Sequence, residues 1–250
     1  MSGVNLATVR IQKRLDLTPE HFKIWLERPP DFPFRPGQYC TIGAGGIERP
    51  YSIVSSPSEP LLELFVERIA PPLGQLTPLL HALGVGDAVT IRPRAKGTFV
   101  LKPGYRNQVL IATVTGIAPF VSMLRAWTEE PSAETVFHVL DGASYVDEFC
   151  YDQELHALAQ RHPSIHFVPT CSRPQDPRNA GWRGATGRVN EIVPEYLAER
   201  RLDPGETRLY ACGHPQMIED VKMRCGAFAV AEERYWRAPK PARRGSPEPA

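Results

Sequence analysis

At 250 residues, with 42% hydrophobic and 23% charged residues, the chain has the composition of a soluble globular protein and room for one large domain or two ordinary ones. A formal net charge of +1 and the lack of a basic stripe argue against nucleic acid or an anionic membrane as partner. The N-terminal MSGVNLATVRIQKRL lacks a signal-peptide core, and VLIATVTGIAPFVSML (109–124) is too short and too broken by Thr, Gly and Pro to span a bilayer. A cytoplasmic protein is therefore expected. Five scattered cysteines with no C-x-x-C give neither a zinc site nor an iron–sulfur cluster its usual spacing, so no metal site is expected.

Up to residue 103 the sequence predicts β structure. ATVRIQKRL, QYCTIG, YSIVSS, LLELFVERI and DAVTIRPR are short runs separated by Pro- and Gly-rich turns, the pattern of a sandwich or barrel. GQLTPLLHALGVGD (74–87) interrupts them as a short helix, with Thr77 as its cap, Pro78 at its first position and Gly84 or Gly86 at its end. Within the strand region, RPYS places Arg49 and Tyr51 on one face and Ser52 on the other, so one ligand touching all three needs a bend or bulge, with which Pro50 is compatible. Arg49 is a permanent bidentate phosphate donor, Tyr51 a flat face and Ser52 a hydroxyl that donates and accepts.

After Pro103 the rhythm changes. Apolar strands at 108–113, 135–141, 165–170 and 207–213 alternate with helices at 118–129, 147–161, 190–200 and 215–224, which predicts a parallel sheet with helices on both faces. Three turns at the strand ends carry chemistry. ATVTGIAPF (112–120) follows a strand and enters a helix where a dinucleotide-binding turn belongs, although it is not G-x-G-x-x-G. CSRPQ (171–175) sets Ser172 beside Arg173, a pair suited to a ribose 2′-phosphate, and Arg188 is a second candidate cation. YACGHPQM (210–217) puts Cys212 and Gly213 in the last turn. Read singly, each is also what a plain turn, a buried thiol or a solvated arginine looks like. RAPKPARRGSPEPA (237–250), with four prolines and four basic residues, is expected to be a flexible tail.

Taken in order, RPYS, GQLT, ATVTGIAPF, CSRP, CGHPQM and EERYW resemble the ferredoxin/flavodoxin–NADP⁺ reductase family, most closely its bacterial members ending in Tyr-Trp, over about residues 5–236. The resemblance implies an N-terminal antiparallel β-barrel that binds FAD (1–103), a C-terminal α/β parallel-sheet domain that binds NADP(H) (104–236), and the tail (237–250). It implies an enzyme passing hydride between nicotinamide C4 and flavin N5, and single electrons to ferredoxin or flavodoxin. Arg49 would hold the flavin pyrophosphate, Tyr51 would pack on the isoalloxazine, and Ser52 would hydrogen-bond near N5. Gly74, Gln75, Leu76 and Thr77 would take the pyrophosphate, with Phe65, Val66 and Glu67 on the adenosine side. Thr115 and Gly116 would lie between the cofactors and Cys212 beside C4. Ser172, Arg173 and Arg188 would receive the 2′-phosphate. Glu233 would assist proton exchange, Tyr235 would cover the flavin, and Trp236 would stack on its adenine.

Three features depart from that pattern: Val114 where a glycine is usual, Ser144 where an arginine is common, and fourteen residues after the Trp. A monomer is expected, with Arg92, Arg94 and Lys96 either attracting an acidic carrier or forming a solvated face. Two alternatives stay open: an NADH-using reductase component of an oxygenase system, and a flavin-binding electron-transfer subunit with no nicotinamide reaction of its own. The carrier, the direction of electron flow and the strictness for NADPH are not set by the sequence.

Overall fold

The computed structural model describes residues 6–234. Its first lobe contains β1 (Ala7–Asp16), β2 (His21–Glu27), β3 (Tyr39–Ala44), β4 (Ile47–Ser52), β5 (Leu61–Glu67), α1 (Thr77–Ala82) and β6 (Ala88–Ile91). The second contains β7 (Asn107–Thr113), α2 (Ala118–Glu129), β8 (Val136–Ala143), α3 (Asp152–Arg161), β9 (Ile165–Cys171), β10 (Ala185–Thr186), α4 (Val189–Glu199), β11 (Thr207–Gly213), α5 (Pro215–Arg224) and β12 (Ala229–Arg234).

The first lobe is an antiparallel sheet in the order β4-β3-β6-β1-β2-β5. It curls almost shut: Ile53 bridges Leu64, and the Val54 N–H donates to the Glu63 carbonyl at 2.9 Å. Inside, Val9, Ile11, Ile24, Leu26, Ile42, Leu62 and Leu64 form the barrel core. The second lobe is a parallel sheet in the order β10-β9-β8-β7-β11-β12, so the chain starts in the middle and reverses direction between β7 and β11. Such a reversal opens a crevice at the carboxyl ends of the strands. Strand β7 is buried along nearly its whole length, which explains its unbroken apolar run. Helices α4 and α5 cover one face of the sheet, while α2 and α3 cover the other. The second core reaches across to Val54, Phe65 and Phe99 of the barrel, so the two lobes share apolar packing.

Several expectations need correction. Strand β2 was not expected; its alternation is masked because Lys23 is drawn inward, its ammonium 2.9 Å from the Cys150 carbonyl and 3.4 Å above the Tyr151 ring. Short β10 and edge strand β12 were not expected either. Thr77 does not cap α1: it is the first helical residue, preceded by Leu76, and its Oγ1 accepts from the Ile69 N–H and donates to the Ile69 carbonyl. The helix stops at Ala82, before either glycine, and Arg14 binds the carbonyls of Leu80, His81 and Leu83 that its end leaves open. Helix α3 starts at Asp152 rather than 147, because Glu148 accepts the Ser144 and Tyr145 N–H groups in a preceding 3-10 turn while Phe149 and Tyr151 turn into the core. Nor does β4 carry a bulge: its ladder with β3 runs unbroken from Ala44–Ile47 to Tyr39–Ser52, and Ser52 is the last residue of the strand, where the chain is free to turn.

Among the described residues no helix is long and apolar enough to cross a membrane.

Candidate functional site

The strand ends of the second lobe face the β4 edge of the first, and one hydrogen bond joins them. Ser52 Oγ, at the end of β4, donates to Glu233 Oε2 on β12 at 3.2 Å. Burial pushes the Glu233 carboxyl up to about 7, and the Ser52 hydroxyl only partly opposes it. A carboxyl poised there exchanges a proton near neutrality. In register, Glu233 pairs with Cys212 on β11, which pairs in turn with Ala112 on β7. Glu233 and Cys212 therefore stand on the same face of the sheet in adjacent strands, about 4.8 Å apart along the ladder.

The turn after β7 packs against this point. A methyl group on Gly116 would lie 2.2 Å from the Cys212 carbonyl, so only glycine allows the approach. Gly213, at φ +127°, would likewise bring a methyl group within 2.2 Å of Thr113 Oγ1, and that hydroxyl accepts the His214 N–H at 2.8 Å. Between them Val114 has φ 47°, a left-handed conformation that a β-branched residue adopts only under strain of order 1–3 kcal/mol. Thr115 lies in the same 3-10 turn, Val114–Ile117. The position where the sequence departs from glycine is thus one where glycine would be relaxed.

On the barrel, Arg49 is exposed and Tyr51 half-buried on the same face, while Ser52 is buried on the other. Arg49 donates to the Gln75 side chain at 2.8 Å and to the Glu48 carbonyl at 2.8 Å, which ties β4 to the 69–76 loop. The loop turns tightly at Gly74, where a methyl group would lie 1.8 Å from the Ile69 carbonyl, and Leu76 plugs into the barrel core. An exposed guanidinium with donors to spare, a neighbouring amide and an aromatic face suit a ligand with a phosphate and a flat ring. On β5, Phe65 points into the shared core and Val66 into the barrel, so Glu67 is the one of the three left half-exposed. Burial raises the Glu67 carboxyl, assisted by Glu148 and Glu20.

A second cluster lies at the ends of β8 and β9. The Ser172 N–H donates to the Ala143 carbonyl, and Arg173 Nη1 donates to the Tyr145 hydroxyl at 2.6 Å. Arg188 is exposed just before α4. Sequence reasoning missed Tyr145, Arg178 and Asn179 here. Tyr145 was legible as an aromatic two residues past the end of β8; the other two join only through the path of the long loop before β10. Tyr235 and Trp236 lie outside the described residues.

The oxidoreductase NAD-binding domain family matches residues 110–223. Ferredoxin–NADP reductase A of Sorangium cellulosum is 32% identical over 82% of this chain and 77% of its own length. The phenol hydroxylase P5 protein of Acinetobacter pittii is also 32% identical, over 86% of this chain, which spans only 59% of that relative. Among solved structures, a ferredoxin–NADP⁺ reductase from Neisseria gonorrhoeae with bound FAD and NADP superposes with a TM-score of 0.80 at 25% identity, covering 92% of this chain and 99% of that one.

Proposed function

From the premise that this chain belongs to the ferredoxin–NADP⁺ reductase family, we propose that it is an FAD-dependent oxidoreductase exchanging electrons between NADP(H) and a ferredoxin or flavodoxin. The observation that carries this reading is the Ser52–Glu233 hydrogen bond, which joins the two lobes beside Cys212 and the Gly116 turn. In this reading residues 1–103 form the FAD domain and 104–236 the NADP domain, and the chain works as a cytoplasmic monomer. Bound FAD supplies a ring that accepts hydride from reduced nicotinamide and releases electrons singly.

The chain's own residues bind, orient and move protons. Arg49 and Gln75 hold the pyrophosphate, and Tyr51 flanks the flavin ring. Ser52 carries a hydroxyl to the ring edge and relays a proton to Glu233, whose raised pKa lets it take up or release that proton near neutral pH. Thr115 and Gly116 would border the nicotinamide half, with Cys212 beside its C4, while Ser172, Arg173 and Arg188 would receive the ribose phosphate. Tyr235 as cover for the flavin face and Trp236 as a stack on its adenine complete the proposal, from residues outside the described ones.

The phenol hydroxylase relative favours a second reading, in which the chain delivers electrons to an oxygenase. The two are separated by supplying the FAD-loaded chain with NADPH or NADH and a ferredoxin, a flavodoxin or an oxygenase component. Efficient NADPH-driven reduction of a ferredoxin or flavodoxin supports the first reading. Preference for NADH, with electrons reaching only the oxygenase component, supports the second.

A further inference from the structure

The loop from Ser172 to Arg188 carries four arginines against one aspartate. Among the described residues only one of them is locked in an ion pair: Arg178 bonds Asp147, Nε to Oδ2 and Nη2 to Oδ1, both at 2.9 Å. That guanidinium also lies 4.1 Å from the centre of the Tyr145 ring, against which Arg173 packs at 5.2 Å. Two cations from one loop thus converge on a single aromatic residue beside Ser144 and Ser172.

The obvious role for the Arg178–Asp147 pair is to hold the loop down, but other contacts do that. Asn179 is buried and donates to the Ser144 and Arg173 carbonyls at 2.9 and 2.7 Å, and its Oδ1 accepts the Val146 N–H. Trp182 stacks on Phe149 with ring centres 5.4 Å apart. Asp176 caps the turn bearing Arg178. The ion pair is exposed on both sides, and such pairs contribute little to stability.

We propose that Asp147 is a stand-in for phosphate: its carboxylate holds Arg178 on Tyr145, and a ribose 2′-phosphate displaces it to take a bidentate contact from Arg178 beside Arg173. This rests on the reading of the second lobe as an NADP site and adds two specificity-determining residues to it. Arg178 attracts the dianion, while Asp147 competes with it and sets how strongly a 2′-phosphate must bind to win. A charge-assisted bidentate contact is worth roughly ten- to a hundredfold in affinity.

The test is calorimetric binding of 2′-phospho-AMP and 5′-AMP to the full chain, which needs no flavin chemistry. Arg178→Ala should weaken 2′-phospho-AMP about tenfold or more, because Asp147 is left unneutralised next to the phosphate. Asp147→Ala should tighten it, because Arg178 is released. The double variant should fall between, and 5′-AMP should shift far less throughout. Both single variants break the same ion pair, so if both weaken 2′-phospho-AMP to a similar degree the pair is merely a loop tether and the inference falls. Should the wild-type chain bind the two nucleotides equally, the NADP half of the functional reading falls with it. Opposite shifts in the two variants, with unchanged melting temperatures, establish the exchange.

Discussion

Glu233 stands in an environment unlike that of an ordinary surface carboxylate. It stands on an edge strand between exposed Glu232 and Arg234, yet it is drawn against Ser52, with the edge of Gly97 close by. Because burial raises its folded value from 4.5 to about 7, the fold favours its protonated form. The contribution to stability is therefore best below 4.5 and is lost as pH rises from 4.5 through about 7. Glu233→Gln cannot ionise, so it should flatten that decline in unfolding midpoint. It should also erase the limb near pH 7 from the pH profile of flavin reduction; a profile identical to wild type would deny Glu233 any part in proton exchange. The acidic residue itself was legible from EERYW. Its shifted acidity was not, since it comes from burial against the barrel, where the nearest hydrogen-bond partner, Ser52, lies 181 positions away.

Among the elements, the least visible from sequence was the buried ion network between the lobes. Arg125 on α2 donates to Glu63 on β5 at 2.6 Å and to both oxygens of Glu154 on α3 at 2.7 and 2.9 Å. Glu63 is only 3% exposed and takes the Tyr151 hydroxyl on its other oxygen. Burial alone would lower the Arg125 guanidinium, but the Glu154 and Glu63 carboxylates outweigh it and hold the group firmly charged. Removing the cation strands Glu63 in the interface, so Arg125→Met should cost about 3–5 kcal/mol in denaturant unfolding. A loss below ~1 kcal/mol would class the network with exposed pairs. The alternating helices and strands of the second lobe were legible because β7, β8 and β11 are buried runs of the length expected for a parallel sheet. Strand β2 was not, because a lysine lies inside it. Strand β12 was not either, because AVAEER reads as a charged surface until β11 supplies its partner. The late start of α3 follows from Tyr151 and Phe149 choosing the core over a helical turn.

For the whole molecule, the order of six short motifs carried more than any one of them, since a barrel edge and a sheet end must meet before a flat ring and a dinucleotide can face each other. The sequence did not show how they meet. That is fixed by the core shared between Val54, Phe65 and Phe99 of the barrel and the residues of α2, and by the polar contacts around it, such as Ser122 Oγ donating to the Ser55 carbonyl at 2.7 Å. Choice of electron acceptor lies at this scale too. Of the cations read from sequence, Arg92 is already paired with Glu48, which leaves Arg94 and Lys96 as the exposed positive charges on that edge. The most direct measurement is an anaerobic titration of the purified, FAD-loaded chain with NADPH, followed by flavin absorbance. The account predicts a yellow protein whose colour bleaches as reductant is added, with NADH far less effective. A folded chain that takes up no FAD, or whose bound flavin keeps its colour in excess NADPH, would contradict it.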